Sequence, residues 1–215
     1  MNVKRRPLPA AAAAVAALSL LLTACGGSDD DTKSEDKING ADSAKPSPSP
    51  SESAAERPEI ELPDDAKNVF EDWETGDPKK DAVLADSAES VNAVDDAIFR
   101  GVKESDALSF YNSGTALADS VDYIERWVDD KDTWVGTARY RDQKVSFNDD
   151  GSAVVIYCID QSNAFIKDGR TGKVDKSSSS NDAYALTSTR LVENDKGVWQ
   201  TVEVEAKRGA AECLP

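Results

Sequence analysis

The chain has no histidine, so its cysteine, carboxylate and tyrosine side chains are the candidates for chemical reactivity. The 215 residues include three cysteines, Cys25, Cys158 and Cys213, and no histidine. Without an imidazole, the chain has no Ser-His-Asp or Cys-His catalytic group and no histidine-ligated zinc. The chemistry that remains is modification or pairing of the cysteines, and proton transfer by carboxylates and tyrosines.

Cys25 ends an apolar stretch near the start of the chain. Lys4, Arg5 and Arg6 are positive and residues 7–24 carry no charge, which is typical of a secretory signal. One interpretation is an uncleaved transmembrane helix, since the stretch is close to the roughly 18 residues that a span requires. A second is an ordinary signal that is cut after small residues.

A third interpretation rests on the four residues that end the signal. Leu22-Thr23-Ala24-Cys25 resembles the lipobox of bacterial lipoproteins. In that family the cysteine sulfur receives a diacylglycerol and the signal is cut just before it. The resemblance implies that residues 1–24 are removed and that the protein sits on the bacterial cell membrane, facing outside. Two acyl chains give stable anchoring, since each buried methylene contributes about 0.8 kcal/mol.

Cys158 and Cys213 remain once Cys25 is assigned to the anchor. An exported protein meets an oxidising compartment, where such a pair can form a disulfide. The bridge would close a loop of about 55 residues, for which the loop-entropy model gives a stabilisation of about 4 kcal/mol as an upper estimate. The alternative is two buried free thiols.

The composition is strongly acidic, which restricts the classes of molecule that the protein is expected to bind. Formal net charge is −16, and it is near −19 once the three cations of the signal are removed. This charge disfavours nucleic acid and electrostatic adhesion to anionic lipid. We therefore expect no nucleic-acid partner, and contact with the membrane only through the lipid on Cys25.

Residues 25–63 are predicted to form the lipid anchor and a disordered, acidic, Pro/Ser-rich linker. The segment contains "DDD" at Asp29 to Asp31 and "KPSPSPSES" from Lys45 to Ser53, with few large apolar residues. Such a composition buries too little apolar surface to order itself. As a coil it spans roughly 35 Å on average, which suits a spacer. The alternative is a docking motif for a partner.

Residues 64–215 are predicted to form one α+β domain. Apolar residues at helical spacing predict four helices, which begin at Asp64, at Asp77-Pro78, after Ser105 and after Gly114. The period then changes to two, which predicts strands over Trp134–Phe147, Ser152–Ile159, Tyr184–Glu193 and Val198–Glu205. Helices followed by strands indicate N-terminal helices packed on one face of a curved antiparallel sheet.

This order resembles the nuclear transport factor 2-like domain, in which helices and a curved antiparallel sheet form a cone. The similarity is closest to exported domains of high-GC Gram-positive bacteria and covers roughly Asp65 to the end. It is carried by "VGTARYRDQKV" (135–145), "VVIYCIDQS" (154–162), "TGKV" (171–174) and "GVWQTVEVEA" (197–206), followed by Cys213.

The resemblance also implies where a catalytic site would lie. Some members of this class are isomerases or dehydratases whose carboxylate base faces polar donors in an apolar cone. The dehydratase pattern needs an Asp–His pair, which this chain lacks. An isomerase-like pocket would place Asp160 inward with Tyr140 or Tyr184 opposite. The alternative is that Asp160 ends its strand and caps a turn with Gln161 and Ser162.

The remaining motifs are ordinary turns. "DDKD" at 129–132 and "FNDDG" at 147–151 lack the alternation of calcium ligands, and "DGRTG" at 168–172 lacks the spacing of a phosphate-binding loop. We predict no metal and no cofactor.

The leading functional prediction is a non-catalytic extracytoplasmic domain, present as a monomer or weak dimer. It would bind a small apolar ligand, a cell-wall component or an envelope protein. One alternative is a small isomerase- or hydrolyase-type enzyme that uses the Asp/Tyr pocket. Another is a structural interaction module whose cone is filled by side chains such as Trp127, Trp134 and Phe147.

Overall fold

A computed structural model describes residues 56–176 and 180–215. The signal, Cys25 and the tether up to residue 55 lie outside the described residues. The described helices and strands are β1 (Ala66–Phe70), α1 (Pro78–Arg100), α2 (Asp106–Tyr111), α3 (Gly114–Asp130), β2 (Asp132–Phe147), β3 (Ala153–Asp168), β4 (Val174–Asp175), β5 (Tyr184–Glu193) and β6 (Trp199–Arg208). Among them, no helix combines the length and apolar character that a membrane span requires.

The predicted α+β architecture is confirmed. The strands form one open, curved sheet in the order β1-β2-β3-β5-β6, with the short β4 paired to β3. The three helices pack on one face of this sheet, which we call the helix-facing side. The β2–β3, β3–β4, β3–β5 and β5–β6 pairs are antiparallel, as expected. The β1–β2 pair is parallel, so the sheet is mixed rather than wholly antiparallel.

The helix predicted from Asp64 to about Trp73 is wrong, because Ala66–Phe70 is strand β1. Its five residues pair with β2 from Gly136 to Tyr140. The Phe70 ring stacks on the Tyr140 ring with centroids 4.6 Å apart. A helix this short is marginal in isolation, so backbone pairing and aromatic packing against a distant strand determine its conformation.

The start and end of α1 agree with the sequence prediction. The Asp77 side chain accepts hydrogen bonds from the backbone N–H groups of Lys79 and Lys80, and Pro78 occupies the first turn. Gly101 ends the helix at φ 66°, a left-handed conformation that favours glycine. These local signals fix the register of the helix, which decides which of its side chains face the sheet.

Strand β3 runs past the predicted end at Ile159 and continues to Asp168. It pairs with the equally long β2, from Ala153 opposite Phe147 to Asp168 opposite Asp132. Two register shifts in β2, at 137–139 and 141–144, interrupt this pairing. The long partner strand supplies backbone hydrogen bonds beyond Ile159, so the polar sequence there does not end β3.

The predicted disulfide between Cys158 and Cys213 is present, with Cα atoms 5.4 Å apart. It fastens the C-terminal turn to β3, and both cysteines are buried. Arg141 adds a hydrogen bond to the backbone carbonyl of Cys213 at 2.6 Å. The end of the chain is therefore part of the folded domain.

Residues 56–63, which the sequence assigns to the linker, contact the domain. Arg57 forms an ion pair with Asp86 of α1, which is almost fully buried. Asp86 also accepts a hydrogen bond from the backbone N–H of Trp199 at 2.8 Å. Ile60 packs on a small cluster that includes Tyr111. These contacts attach residues 56–63 to the folded domain.

Candidate functional site

Two neighbouring cavities lie between the helices and the helix-facing side of the sheet. The first, which we call the tryptophan cavity, has a volume of about 260 Å³ and is lined by Trp127 and Trp134. The second, the threonine cavity, has a volume of about 300 Å³ and is lined by Thr187, Thr189 and Thr201. The two cavities share the lining residues Asp95, Tyr123, Tyr140, Gln161 and Arg208.

Strand alternation and helical spacing direct the lining side chains inward. In β3, Tyr157, Ile159 and Gln161 occupy alternate positions and line the threonine cavity. In α1, Val91, Val94 and Asp95 share the face that lies over the sheet. The space between the helices and the sheet thus contains cavities, and Trp127 and Trp134, expected to help fill it, line the tryptophan cavity. Phe147, also expected to help fill this space, packs instead against Trp199 and Lys79.

Asp95 is the ionisable group at the centre of the site. Its Oδ2 accepts a hydrogen bond from Asn68 Nδ2 at 2.7 Å, and its Oδ1 accepts one from Trp134 Nε1 at 3.1 Å. Burial raises the pKa of Asp95 to about 6, and these two hydrogen bonds oppose the rise. Asp95 is partly buried and lines both cavities.

Asn68 connects the carboxylate to the nearest tyrosine. Its Nδ2 also contacts Asn92 Oδ1 at 3.0 Å, and its Oδ1 accepts a hydrogen bond from the Tyr140 hydroxyl at 3.4 Å. Burial, with a smaller contribution from the charge of Asp95, raises the pKa of Tyr140 well above its usual value. Tyr140 is therefore neutral, and its proton is directed at Asn68.

Aromatic rings form the wall of the tryptophan cavity. The Tyr123 and Trp127 rings meet edge to face with centroids 6.1 Å apart. Burial, followed by the charge of Asp95, raises the pKa of Tyr123, so this phenol is also neutral. This wall offers ring faces and hydroxyl groups, which suits a flat apolar ligand.

Part of the threonine cavity is lined by uncharged polar side chains. Ser90 Oγ donates to Asn112 Oδ1 at 2.8 Å, and Asn112 Nδ2 donates to the Leu108 carbonyl at 3.1 Å. The buried hydroxyl groups of Thr187 and Thr201, by contrast, have no hydrogen-bond partner among the described residues.

Arg208 lies at an exposed edge shared by the two cavities. Its guanidinium donates hydrogen bonds to Gln161 Oε1 and to the carbonyl of Asp182, each at 3.1 Å. The charged residues that the two cavities share are therefore the partly buried Asp95 and the exposed Arg208.

The predicted Asp/Tyr pocket is wrong in its choice of acid, although Tyr140 does line the observed cavities. Asp160 lies opposite Arg139 and Tyr184, whereas Tyr140 lies opposite Ile159, the neighbour of Asp160. Cross-strand partners share a face and successive residues alternate, so Asp160 and Tyr184 are on the outer side of the sheet.

Asp160 and Tyr184 have structural surroundings on that outer side. Asp160 accepts a hydrogen bond from the backbone N–H of Ser162 at 2.9 Å, the local contact expected of a turn, although the strand continues. Tyr184 packs beside the Cys158–Cys213 disulfide. Neither residue lines the two cavities.

Sequence reasoning missed Asp95 as a site residue. The apolar stripe of α1 can be read through Val94 or Asp95, and an acid on such a stripe is ordinarily assigned to solvent. The available signal was a carboxylate on the same helical face as Leu84, Ala88 and Val91. Its hydrogen-bond partners, Asn68 and Trp134, lie on strands β1 and β2 and could not be identified from spacing.

The acidic turns have local explanations. Within residues 56–176 and 180–215, no three cysteine, aspartate or glutamate side chains are grouped closely enough to hold one metal ion. In the "DGRTG" turn, Asp168 accepts hydrogen bonds from the backbone N–H groups of Arg170 and Thr171, at 2.8 and 2.9 Å. The Asp168 side chain thus satisfies two backbone N–H groups of this exposed turn.

Comparison with known proteins gives structural neighbours only. No protein-family model matches the chain, and no curated protein matches it. The intermembrane-space region of the chloroplast protein ARC6 is 12% identical, with a TM-score of 0.38, and the match covers 60% of this chain and 95% of that one. ActVI-ORFA from Streptomyces coelicolor is 12% identical, with a TM-score of 0.39, covering 62% and 96%. Neither likeness carries a conclusion about this chain.

Proposed function

We propose that this chain is an exported, lipid-anchored protein whose domain binds a small ligand between its helices and its sheet without changing it chemically. The observation that supports this most strongly is the pair of open cavities that meet at Asp95. A concave, mostly apolar space with a few placed polar groups is the usual form of a small-molecule site.

The hydrogen bonds around Asp95 favour binding over catalysis. Both carboxylate oxygens are held by donors from neighbouring strands, which fixes the orientation of the group. Tyr140, which an isomerase would use to polarise a substrate carbonyl, directs its proton at Asn68 instead. The carboxylate is thus oriented by its protein partners, and the Tyr140 hydroxyl is not directed at it.

A proton-transfer enzyme is the second candidate. A pKa of about 6 brings Asp95 into the range in which a carboxylate acts as a general base near neutral pH. The site would then be an isomerase-type pocket built on Asp95 and not on Asp160. Turnover of the bound compound distinguishes this function from simple binding.

The experiment that tests the proposal is native mass spectrometry of the full chain in lipid nanodiscs, to detect a small molecule carried over from the producing cell. Asp95→Asn is the informative variant, and Asp160→Asn is the matched control on the outer side of the sheet. A binding protein retains an unchanged ligand that Asp95→Asn weakens several-fold. An enzyme converts the molecule, and Asp95→Asn abolishes the conversion. If Asp95→Asn and Asp160→Asn behave like the wild type, the cavities are not the binding site.

The membrane anchor is tested separately at Cys25. If the sulfur carries the lipid, Cys25→Ala releases the full chain from the bacterial membrane into the soluble fraction after mild lysis. Cys158→Ala is the control, since its sulfur is bridged within the domain. Retention of Cys25→Ala in the membrane fraction with its signal uncut favours the transmembrane interpretation.

A further inference from the structure

Two buried hydroxyl groups in the threonine cavity lack the partners that buried polar groups normally have. Thr187 is 2% exposed and Thr201 is 1% exposed, and neither side-chain oxygen forms a hydrogen bond within the described residues. Both residues line the same cavity. Most buried side-chain polar atoms in folded proteins have a partner, so each exception requires an explanation.

Other polar side chains that line the threonine cavity do form hydrogen bonds within the protein. Thr189, one strand repeat from Thr187, donates to the Val155 carbonyl at 3.4 Å. Ser90 and Asn112 satisfy each other. The two unpartnered hydroxyls thus differ from Thr189, Ser90 and Asn112, which are hydrogen-bonded in the same lining. Valine has nearly the shape of threonine and would avoid the cost of burying a hydroxyl there.

We propose that the threonine cavity takes ligands with an apolar body and uncharged hydrogen-bonding oxygens, either hydroxyl or carbonyl, which bond to Thr187 and Thr201. This proposal rests on the proposed binding function and specifies its ligand class. Val91, Val94 and Ile159 supply an apolar surface for the body of the ligand.

The charges of the cavity favour an uncharged oxygen over an anion. The acidic residue on its lining is Asp95, which repels a carboxylate or phosphate that moves inward. The cation on its lining, Arg208, is at the exposed edge and already bonds Gln161 and Asp182. A threonine hydroxyl both donates and accepts, so it pairs equally with an alcohol or a ketone.

The test uses three probes that share a naphthalene ring and differ in the group at position 2: 2-naphthol, 2-methylnaphthalene and 2-naphthoate. Their affinities for the full chain in nanodiscs are measured by calorimetry, with empty nanodiscs subtracted. The wild type is expected to bind 2-naphthol about fivefold more tightly than 2-methylnaphthalene, the value for one net hydrogen bond. 2-Naphthoate is expected to bind most weakly of the three.

Thr187→Val and Thr201→Val are the informative variants, and Thr137→Val is the matched control because Thr137 does not line the threonine cavity. A variant that lacks the hydroxyl to which 2-naphthol bonds should bind 2-naphthol and 2-methylnaphthalene with equal affinity, and we expect this of at least one of the two variants. Thr137→Val should keep the higher affinity for 2-naphthol.

Thermal stability supplies a second readout that a purely structural role would not reproduce. If the two hydroxyls lack a hydrogen-bond partner until a ligand binds, replacing them removes an unsatisfied buried group. Thr187→Val and Thr201→Val should then raise the melting temperature of the ligand-free chain while weakening 2-naphthol binding. A fall in melting temperature with unchanged 2-naphthol affinity overturns the proposal.

The failure of this inference is distinguishable from the failure of the proposed function. Equal affinities of the wild type for 2-naphthol and 2-methylnaphthalene, or a preference for 2-naphthoate, overturn the ligand class and leave the binding function standing. The absence of binding by all three probes, in a chain that also carries no ligand from the cell, overturns both.

Discussion

The raised pKa of Asp95 predicts a specific change in the pH dependence of stability when the carboxylate is removed. The pKa rises from 3.8 to about 6 on folding, mainly because the group is buried. The folded state therefore holds the proton more tightly than the unfolded state does between these two values. Stability from this group is present below about pH 4 and is lost as the pH rises through about 6.

The size of the effect follows from the shift. At 1.36 kcal/mol for each pKa unit, a shift of roughly two units corresponds to about 3 kcal/mol as an upper estimate. Asp95→Asn cannot titrate, so it lacks this loss. The free energy of unfolding of the variant minus that of the wild type should therefore be larger at pH 7.5 than at pH 4, by up to about 3 kcal/mol. The variant is thus more stable relative to the wild type at the higher pH.

Urea unfolding of the two proteins at several pH values between 4 and 7.5 measures this difference. The other titrating groups are common to both proteins, so their contributions cancel in the comparison. Asp160→Asn serves as the control for replacing an aspartate outside the cavities. A constant difference between Asp95→Asn and the wild type across this range would refute the assignment of a raised pKa to Asp95.

Three further substitutions test how the domain holds the site. Cys158→Ala removes the disulfide and should lower the free energy of unfolding by up to about 4 kcal/mol, measured by urea unfolding without reductant; an unchanged value contradicts the bridge. Arg57→Ala leaves the carboxylate of Asp86 buried without its cation. Because Arg57 is itself half-exposed, we expect the free energy of unfolding to fall by only about 1–2 kcal/mol. An unchanged melting temperature would show that residues 56–63 do not stabilise the domain. Gly136→Ala places a Cβ 2.0 Å from the Asn163 carbonyl oxygen at a backbone φ of +106°, so we expect a loss of several kcal/mol by thermal unfolding, and wild-type stability would rule out this close pairing of β2 and β3.

Those parts of the fold that depend on local signals were predictable from the sequence. Asp77, Pro78 and Gly101 mark the ends of α1 through contacts within a few residues, and the structure has the helix at these positions. Alternation of apolar residues likewise indicated the long strands. These features needed no knowledge of what lies across the sheet.

Elements that depend on distant partners were not predictable. Ala66–Phe70 becomes a strand because β2 pairs with it, about seventy residues later in the chain. Asp160 remains inside β3 because β2 and β5 supply its neighbours. In both cases tertiary pairing outweighs the local preference of the segment.

The same limit applies to the candidate site. Tyr140 was identified as a pocket residue, but the choice of Asp160 failed because strand alternation fixes which residues share a face without fixing which face is inside. Asp95 is distinguished from an ordinary solvent-facing acid by its contacts with Asn68 and Trp134, which lie on β1 and β2. The unpartnered hydroxyls of Thr187 and Thr201 likewise have no sequence signature.

Native mass spectrometry of a cavity-filled variant is the most direct test of the central claim, that the space between the helices and the sheet is a ligand site. Val94 lines the threonine cavity from α1, and Val94→Phe extends a ring into it. The account predicts that the wild-type chain in nanodiscs carries a small molecule from the producing cell and that Val94→Phe, folded to the same extent by circular dichroism, does not. Equal occupancy in the two proteins, or no bound molecule in the wild type, would contradict it.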